Sequence, residues 1–215
     1  MGKCSSSIVW LVLITGLNCA VADPLVVGDF SARGLVGWDE HSFNGNTEYR
    51  LTELDGIRVV EAVSRASASV LVRELRIDLE ETPYLNWRWR IENTIETANE
   101  TVKSGDDYPA RIYIVNEGGM FPWQKRSVNY VWSSKQPQGA AWPSAYTSLS
   151  QMISLRSGPQ KAGRWMDERR NVRKDFRRLF DQDVRYVGVI AIMTDTDDTG
   201  EVAKAHYGDI YFSAD

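Results

Sequence analysis

The chain has 215 residues, and its 29 acidic side chains outnumber its 25 basic ones, which gives a formal net charge of −4 at pH 7. This balance argues against a nucleic-acid or anionic-lipid partner, because both are bound through excess positive charge. The eight tryptophans are a large supply of rings, which fill protein cores and also form binding platforms.

The first 22 residues have the pattern of an export signal. Lys3 precedes an apolar run at Ile8 to Leu17 that is too short to span a bilayer, and the small residues Ala20 to Ala22 fit a cleavage site. Cleavage after Ala22 would leave residues 23–215, which we expect to form a single β-sandwich domain. The predicted localisation is therefore periplasmic or secreted.

Both cysteines, Cys4 and Cys19, lie inside this signal. The exported part is therefore expected to have no disulfide and no cysteine-ligated metal. A lipoprotein anchored through Cys19 is the alternative to a soluble exported form. No later apolar run reaches the roughly 20 residues of a membrane-spanning helix, so no membrane span is predicted.

Most of the remaining chain is predicted to form short strands. The segments "EYRLTEL" and "IRVVEAV" flank Asp55-Gly56, a dipeptide typical of a hairpin turn. The segment "YLNWRWRI" alternates, so Trp87 and Trp89 share an apolar face and are predicted core residues. In "ARIYIV" the same alternation places Arg111 on the face opposite the apolar side chains.

One segment, "DERRNVRKDFRRLF" from Asp167 to Phe180, has a helical pattern instead. Its apolar residues, Val172 and Phe176 among them, recur at helical spacing, and Asp167 is the predicted N-cap. The opposite face is rich in arginine. A membrane or nucleic-acid role for this face is the less favoured alternative, because the apolar side covers only about two turns. Short alternating strands with one amphipathic helix indicate an all-β sandwich.

Several segments together resemble the bacterial family named domain of unknown function 3047. They include "SGDDYPARIYIV", "MISLRSG", "GRWMDERRNVRKDF" and "VIAIMTDTDDTGEVAKAHYGDIYF", and the resemblance extends over nearly all of the chain after the signal. It implies an exported β-sandwich protein of Gram-negative bacteria, and it implies no particular activity.

A second similarity is to the galactose-binding-like jelly-roll superfamily, which includes many carbohydrate-binding modules. It rests on "GDF" (Gly28 to Phe30) and "GDI" (Gly208 to Ile210) at the two ends of the chain. It implies a jelly-roll-type β-sandwich (galactose-binding-like) whose first and last strands lie together. It also nominates Asp29 and Asp209 as ligands of a structural calcium ion.

The acidic segment "DTDDTG", which begins at Asp195, matches part of a calcium-binding loop pattern. The fifth position of the pattern is Thr199 and the twelfth is His206, neither of which suits the pattern, and the flanks are strand-like. The segment is therefore not an EF-hand. The favoured interpretation is a turn in which Asp197 and Asp198, like Asp195, are solvated by water.

The segment "GDDYPARIY" is a second candidate site. Asp106 and Asp107 precede a predicted strand that carries Arg111. An arginine beside two carboxylates would favour their ionised forms and could orient a ligand. The alternative is a turn in which the aspartates cap backbone amides and Arg111 is a structural partner.

Aromatic residues crowd the loop-rich stretch that follows. Trp123, Trp132 and Trp142 could stack on the flat C–H faces of sugar rings, with Trp132 equally able to face the core. Arg111 and other arginines on polar sheet faces, Arg88, Arg90 and Arg156, could instead line a surface for an acidic glycan.

Signatures of enzymes are scarce, since the chain has two histidines and no HExxH, GxSxG or P-loop pattern. The predicted function is non-catalytic binding of a carbohydrate or cell-envelope polymer. One alternative is a glycan-active hydrolase or lyase that uses Asp106 or Asp107 as acid or base. Another is an envelope module that binds a protein partner.

Overall fold

The computed structural model describes residues 23–96, 99–118 and 125–215. Within these residues there are thirteen β-strands and one α-helix. One sheet has six strands: β1 (Leu25–Gly28), β3 (Glu48–Leu54), β4 (Ile57–Arg65), β6 (Tyr84–Ile91), β11 (Met166–Asn171) and β13 (Val202–Ser213). The other has seven: β2 (Asp39–Asn44), β5 (Ala68–Asp78), β7 (Ala110–Asn116), β8 (Ser127–Ser133), β9 (Ala141–Pro143), β10 (Ser150–Ser157) and β12 (Tyr186–Met193). The helix α1 is Val172–Phe180.

The order of strands is β11-β6-β13-β4-β3 in the first sheet, where β1 also pairs with β13, and β2-β5-β12-β7-β8-β10-β9 in the second. β8 and β10 run parallel, whereas the other paired strands are antiparallel. Consecutive strands such as β4 and β5 often belong to different sheets. The predicted fold class, an all-β sandwich of the jelly-roll type with one amphipathic helix, is therefore confirmed.

The predicted hairpin joins β3 to β4. Asp55 and Gly56 have φ angles of 55° and 76°, and Leu54 pairs with Ile57. Two consecutive residues with positive φ give the turn whose twist matches that of the flanking strands. The hairpin is confirmed.

The core between the sheets is built around aromatic rings. Trp87 and Trp89 on β6 lie edge to face, with ring centroids 5.4 Å apart. Trp87 stacks at 5.4 Å on Tyr130 of β8, and Trp89 lies 6.2 Å from Trp132 of the same strand. Contacts of this kind add to the stabilisation from buried area, and they join the two sheets. The predicted core positions of Trp87 and Trp89 are confirmed.

The start of the helix differs from the prediction. Residues Met166–Asn171, predicted as helix in part, form the edge strand β11, which pairs with β6. The helix begins at Val172, and its N-cap is Asn171, whose side-chain oxygen accepts a hydrogen bond from the Lys174 amide at 2.9 Å. The predicted cap at Asp167 is wrong, because pairing with β6 satisfies the backbone of that segment. Phe176 is buried as predicted. No helix in the part of the chain that the structure describes is long and apolar enough for a membrane crossing.

Candidate ligand-binding cleft

A cleft of about 550 Å³ opens on the outer face of the seven-stranded sheet. Alternation along β7 turns Ile112 into the core and directs Arg111 and Tyr113 to this outer face. We call this site the acidic cleft. Its lining comprises outward-facing side chains of the sheet and residues of three loops: Phe43, Ala68, Asp106, Arg111, Tyr113, Ser127, Asn129, Ser144, Tyr146, Thr147, Ser150, Met152, Met193, Asp195, Asp197 and Asp198.

The two acidic segments of the sequence meet at one end of this cleft. Asp107, in the loop before β7, accepts hydrogen bonds from the backbone amides of Asp198 and Thr199 at 3.3 and 2.7 Å. These residues belong to the loop between β12 and β13. The fully buried Asp107 therefore holds the second acidic loop against the first, and five aspartates are gathered in one place.

Arg111 is paired with Asp195 inside this cluster. Its Nε donates to Asp195 Oδ1 at 3.0 Å, its Nη2 contacts Oδ2, and Nη2 also donates to the backbone oxygen of Asp106 at 3.2 Å. The side chains of Arg111 and Asp195 are only 6% and 3% exposed. The expected solvation of Asp195 by water is therefore wrong, because the guanidinium of Arg111 takes the place of solvent.

Two buried acceptor oxygens in the cleft have no hydrogen-bond partner among the described residues: Asp106 Oδ1 and Asn129 Oδ1. Asp106 is 4% exposed and Asn129 is fully buried. Asn129 is held in place through its Nδ2, which donates to Ser150 Oγ at 2.6 Å. A buried acceptor without a donor costs about 1–3 kcal/mol, so both oxygens are suited to a ligand that brings donors or positive charge.

Burial, and to a smaller extent the neighbouring carboxylates, raises the pKa of two acidic groups in the cleft. Burial raises the pKa of Asp106; Arg111 opposes this shift, and Asp198 and Asp107 add to it. Burial likewise raises the pKa of Asp198, although the hydrogen bond from Tyr146 lowers it. The Tyr146 hydroxyl donates to the two carboxylate oxygens of Asp198 at 2.7 and 2.8 Å. Two carboxyl groups in the cleft thus hold protons more strongly than usual.

Aromatic and apolar side chains form the rest of the cleft. Phe43 and Tyr146 are 70% and 55% exposed, and both line the opening. Tyr113 is half-buried on the floor, where its hydroxyl lies 3.4 Å from the sulfur of Met193. The cleft therefore combines flat apolar rings with oxygen acceptors.

Of the three tryptophans nominated from the sequence, the two that the structure describes do not line the cleft. Trp123 falls outside the described residues. Trp132 is fully buried in the core, and its Nε1 donates to the Gly158 carbonyl oxygen at 3.1 Å. Trp142 is 8% exposed and packs against buried side chains that include Tyr108 and Met152. Neither Trp132 nor Trp142 presents a ring face to solvent, so neither is retained as a stacking residue.

Asp29 and Asp209 are brought to the same place, since β1 pairs with β13. Both oxygens of Asp209 accept hydrogen bonds from Ser31, from the amide at 2.9 Å and from Oγ at 2.6 Å. Asp29 Oδ1 accepts from the Ala32 amide at 3.1 Å, and Arg33 lies 3.7 Å from its Oδ2. These contacts describe a hydrogen-bonded turn, and a calcium ion at Asp29 and Asp209 stays a prediction.

The outer face of the six-stranded sheet carries a second cleft of about 530 Å³, lined in part by Arg88, Asp209 and Tyr211. The guanidinium of Arg88 lies 4.5 Å from the ring centroid of Trp165. The other arginines considered as a surface for an acidic glycan form ion pairs, Arg156 with Glu168 at 2.5 Å and Arg90 with Glu92 at 2.9 Å.

Asn129 and Phe43 were not found from the sequence. Asn129 had a usable signal, because it is a polar residue at an outward position of the mostly apolar strand "SVNYVWS". Phe43 had no such signal, because it is an isolated aromatic residue in the segment "DEHSFN". Asp106, Asp107 and Arg111 were nominated together, and the structure does bring them together.

Comparison with known protein families identifies one match. The family model described as "Protein of unknown function (DUF3047)" matches residues 36–211. The chain belongs to this family. No curated protein matches it.

The solved structures that match this chain share little sequence with it, and their structural similarity to it is low. The carbohydrate recognition domain of Emp47p is 9% identical, with 92% of this chain and 99% of that chain covered and a TM-score of 0.48. A carbohydrate-binding module of the β-sandwich superfamily is 13% identical over 86% of this chain and 61% of that one, with a TM-score of 0.41. The glycoside hydrolase domain of Endo-D from Streptococcus pneumoniae R6 is 7% identical over 83% of this chain, with a TM-score of 0.40, and the chain spans only 22% of its length.

Proposed function

We propose that the chain binds a carbohydrate, or a cell-envelope polymer rich in hydroxyl groups, in the acidic cleft without converting it chemically. The observation that carries this proposal is the pair of unpartnered buried acceptors, Asp106 Oδ1 and Asn129 Oδ1, in a cleft with an exposed aromatic opening. Few other ligands offer both features that this lining requires, many hydroxyl donors and flat apolar C–H faces.

Each part of the cleft has a role in this proposal. Sugar hydroxyls donate to Asp106 and Asn129, which relieves the cost of leaving these oxygens unpaired. The rings of Phe43, Tyr113 and Tyr146 supply apolar surface for the faces of sugar rings. A volume of about 550 Å³ is within the usual range for small-molecule sites.

The proposal is tested by affinity electrophoresis in gels that contain envelope or plant polysaccharides. Retardation by one polysaccharide is expected, and Phe43→Ala and Tyr146→Ala should each weaken binding about tenfold or more, consistent with about 1.4 kcal/mol per factor of ten. Tyr211→Ala is the matched control, because Tyr211 is an exposed aromatic residue on the opposite sheet, and it should leave binding unchanged.

Two results would remove the proposal. Unretarded migration in every polysaccharide would direct the search to a protein partner. Retardation that Tyr211→Ala abolishes and Phe43→Ala leaves intact would move the ligand to the second cleft.

A glycan-active enzyme is the second candidate, and the raised pKa values of Asp106 and Asp198 favour it. A carboxyl group with a raised pKa keeps its proton to higher pH, which is a property required of a general acid. Asp107, the other residue considered for this role, is committed to the amides of Asp198 and Thr199. Release of reducing ends by the wild-type protein, abolished in Asp106→Asn, would establish this activity. Binding with no release would exclude it for the glycan tested.

The localisation proposed for this function is the periplasm or the exterior of the cell. Its support is the signal pattern in residues 1–22, which lie outside the described residues. N-terminal sequencing of protein from the periplasmic fraction should give Asp23 as the first residue. Retention of the full-length chain in the cytoplasm would contradict the proposal.

A further inference from the structure

We infer that the acidic cleft contains a site for a divalent cation, best suited to Ca²⁺, formed by Asp107, Asp197 and Asp198 with Asp106 beside them. This inference goes beyond carbohydrate binding, because the cation is expected to bind in the absence of any glycan. It differs from the calcium expected at Asp29, which directly follows β1, and Asp209, which lies within β13.

The first support is geometric. One carboxylate oxygen from each of Asp107, Asp197 and Asp198 lies within 4.8 Å of the other two. Calcium binds oxygen ligands at about 2.3–2.6 Å, so two ligands on opposite sides of one ion are about 4.6–5.2 Å apart. The three oxygens therefore fit in a single calcium shell, and water or backbone carbonyls complete the six to eight ligands that calcium takes.

The second support is the balance of charge. Arg111, the buried guanidinium in the cleft, is committed to Asp195 and to the backbone oxygen of Asp106. Within residues 23–96, 99–118 and 125–215, the salt bridges include none to the other four carboxylates: Asp106, Asp107, Asp197 and Asp198. Grouped carboxylates repel one another, and a bound cation of charge +2 would offset much of this repulsion.

The third support is independent of the cluster. Asp106 is 4% exposed, its Oδ1 has no hydrogen-bond partner, and it lines the same cleft as Asp197 and Asp198. A buried carboxylate oxygen without a partner, next to other carboxylates, is the arrangement that a cation stabilises.

Hydrogen bonds already hold the three ligands in position. Asp107 is fixed by two backbone amides, and Asp198 is oriented by the hydroxyl of Tyr146. The side-chain amide of Asn44 lies 3.3 Å from Asp197 Oδ2. Each ionised carboxylate accepts about four hydrogen bonds, so these contacts leave lone pairs free for a metal. Partners of this kind fix the orientation of metal ligands.

The test uses terbium, which replaces calcium and emits when a nearby aromatic ring is excited. Protein produced from the full 215-residue sequence is titrated with Tb³⁺ in the absence of glycan, and Ca²⁺ and Mg²⁺ then compete. Because Tyr146 contacts Asp198, a saturable signal is expected, which Ca²⁺ displaces at lower concentration than Mg²⁺. Ca²⁺ should also raise the melting temperature of the wild-type protein.

Variants locate the site. Asp197→Asn and Asp198→Asn, at half-buried positions, should each weaken Tb³⁺ binding at least tenfold and reduce the thermal shift with Ca²⁺. Asp167→Asn is the matched control, because its side chain is 85% exposed on the other sheet, and it should bind as the wild type does. Phe43→Ala should also retain Tb³⁺ binding, so that failure of the cation site and failure of carbohydrate binding are separate results.

The outcomes that overturn the inference are distinct. One is a Tb³⁺ signal that does not saturate. Another is a saturable signal that Asp198→Asn leaves unchanged while the variant still melts cooperatively. Loss of the signal in Asp29→Asn/Asp209→Asn, with Asp198→Asn unaffected, would place the cation beside the pairing of β1 with β13 instead.

Discussion

Arg111 and Asp195 form an ion pair that is almost completely removed from solvent. The desolvation of two charges offsets much of their attraction, so such a pair contributes little net stability compared with an apolar pair. Its effect is positional, because the guanidinium also binds the backbone of Asp106 and lies 4.6 Å from the ring centroid of Tyr108. One arginine thus fixes both acidic loops relative to β7.

Replacing Arg111 by Met should destabilise the protein by about 3–5 kcal/mol, because Asp195 is left as an uncompensated buried charge. The double variant Arg111→Met/Asp195→Asn should recover a large part of that loss, since both charges are gone. Urea unfolding of the wild type, the two single variants and the double variant measures the coupling. Additive losses in the double variant would show that the two charges do not interact energetically.

Asp106 should cost stability at neutral pH. Its folded pKa is raised by burial above that of the unfolded chain, so stability falls as pH rises through the folded pKa. Asp106→Asn removes this cost and should melt at a higher temperature than the wild type near pH 8 without cations. The difference should shrink as pH is lowered toward the unfolded pKa. A lower melting temperature for Asp106→Asn at pH 8 would mean that the ionised carboxylate stabilises the fold.

Individual strands and turns could be predicted because their signals are local. The alternation around Trp87 and Trp89 and the Asp55-Gly56 turn are both fixed by a few neighbouring residues, and both are confirmed. The segment Met166–Asn171 could not be assigned correctly, because its strand conformation depends on pairing with β6, about eighty residues earlier. The helical spacing of apolar residues after Asn171 led to a predicted helix that began too early and included residues of β11.

The two possible helix starts predict different effects of substitution. Asn171→Ala should destabilise the protein by about 1 kcal/mol, the usual cost of losing an N-cap, and lower the melting temperature by about 2–4 °C in a domain of this size. Asp167→Ala should change the melting temperature little, because Asp167 is an exposed residue of β11. Thermal unfolding of both variants decides which residue is the N-cap. A larger loss of melting temperature in Asp167→Ala than in Asn171→Ala would indicate that the helix begins after Asp167.

The acidic cleft was predictable only in part for the same reason. Asp106, Asp107 and Arg111 are close in sequence, so their proximity followed from the start of one strand. Asp195 is 84 residues beyond Arg111, and its loop reaches the cleft only because β12 lies next to β7. Asn129 reaches it through the pairing of β8 with β7. Sequence spacing contains no information about those neighbours.

The two outer faces of the sandwich shift the pKa values of their buried carboxyl groups in opposite directions. In the acidic cleft on one face, Asp106 Oδ1 has no hydrogen-bond partner among the described residues, and burial raises the pKa of Asp106 although Arg111 opposes the shift. On the other face, Glu61 is 4% exposed and contacts Lys204 Nζ at 2.5 Å and Arg50 Nε at 2.6 Å. A buried carboxylate that is paired with basic side chains of its own chain stabilises the fold. A buried carboxylate with an unpaired oxygen is suited instead to an external cation or hydrogen-bond donor.

Glu61 should therefore make the protein sensitive to acid. Burial alone would raise its pKa, but hydrogen bonds from Lys204 and Arg50 lower the pKa from 4.5 to about 2. Because the folded pKa is the lower one, the carboxylate contributes stability above pH 4.5 that is lost as pH falls toward 2. At about 1.4 kcal/mol per pH unit between the two pKa values, the contribution is at most about 3–4 kcal/mol.

Glu61→Gln should consequently be less stable than the wild type at pH 7, and the difference should shrink by more than half near pH 3, where the unfolded wild-type chain is largely protonated at this position. Urea unfolding of both proteins from pH 7 to pH 3 measures it, with Asp167→Asn as a control that should follow the wild type throughout. A Glu61→Gln difference that stays constant across this range would mean that packing of the side chain, and not its ionisation, stabilises the outer face of the six-stranded sheet. A difference that closes with acid would establish that the ionised carboxylate of Glu61, paired with Lys204 and Arg50, stabilises this face.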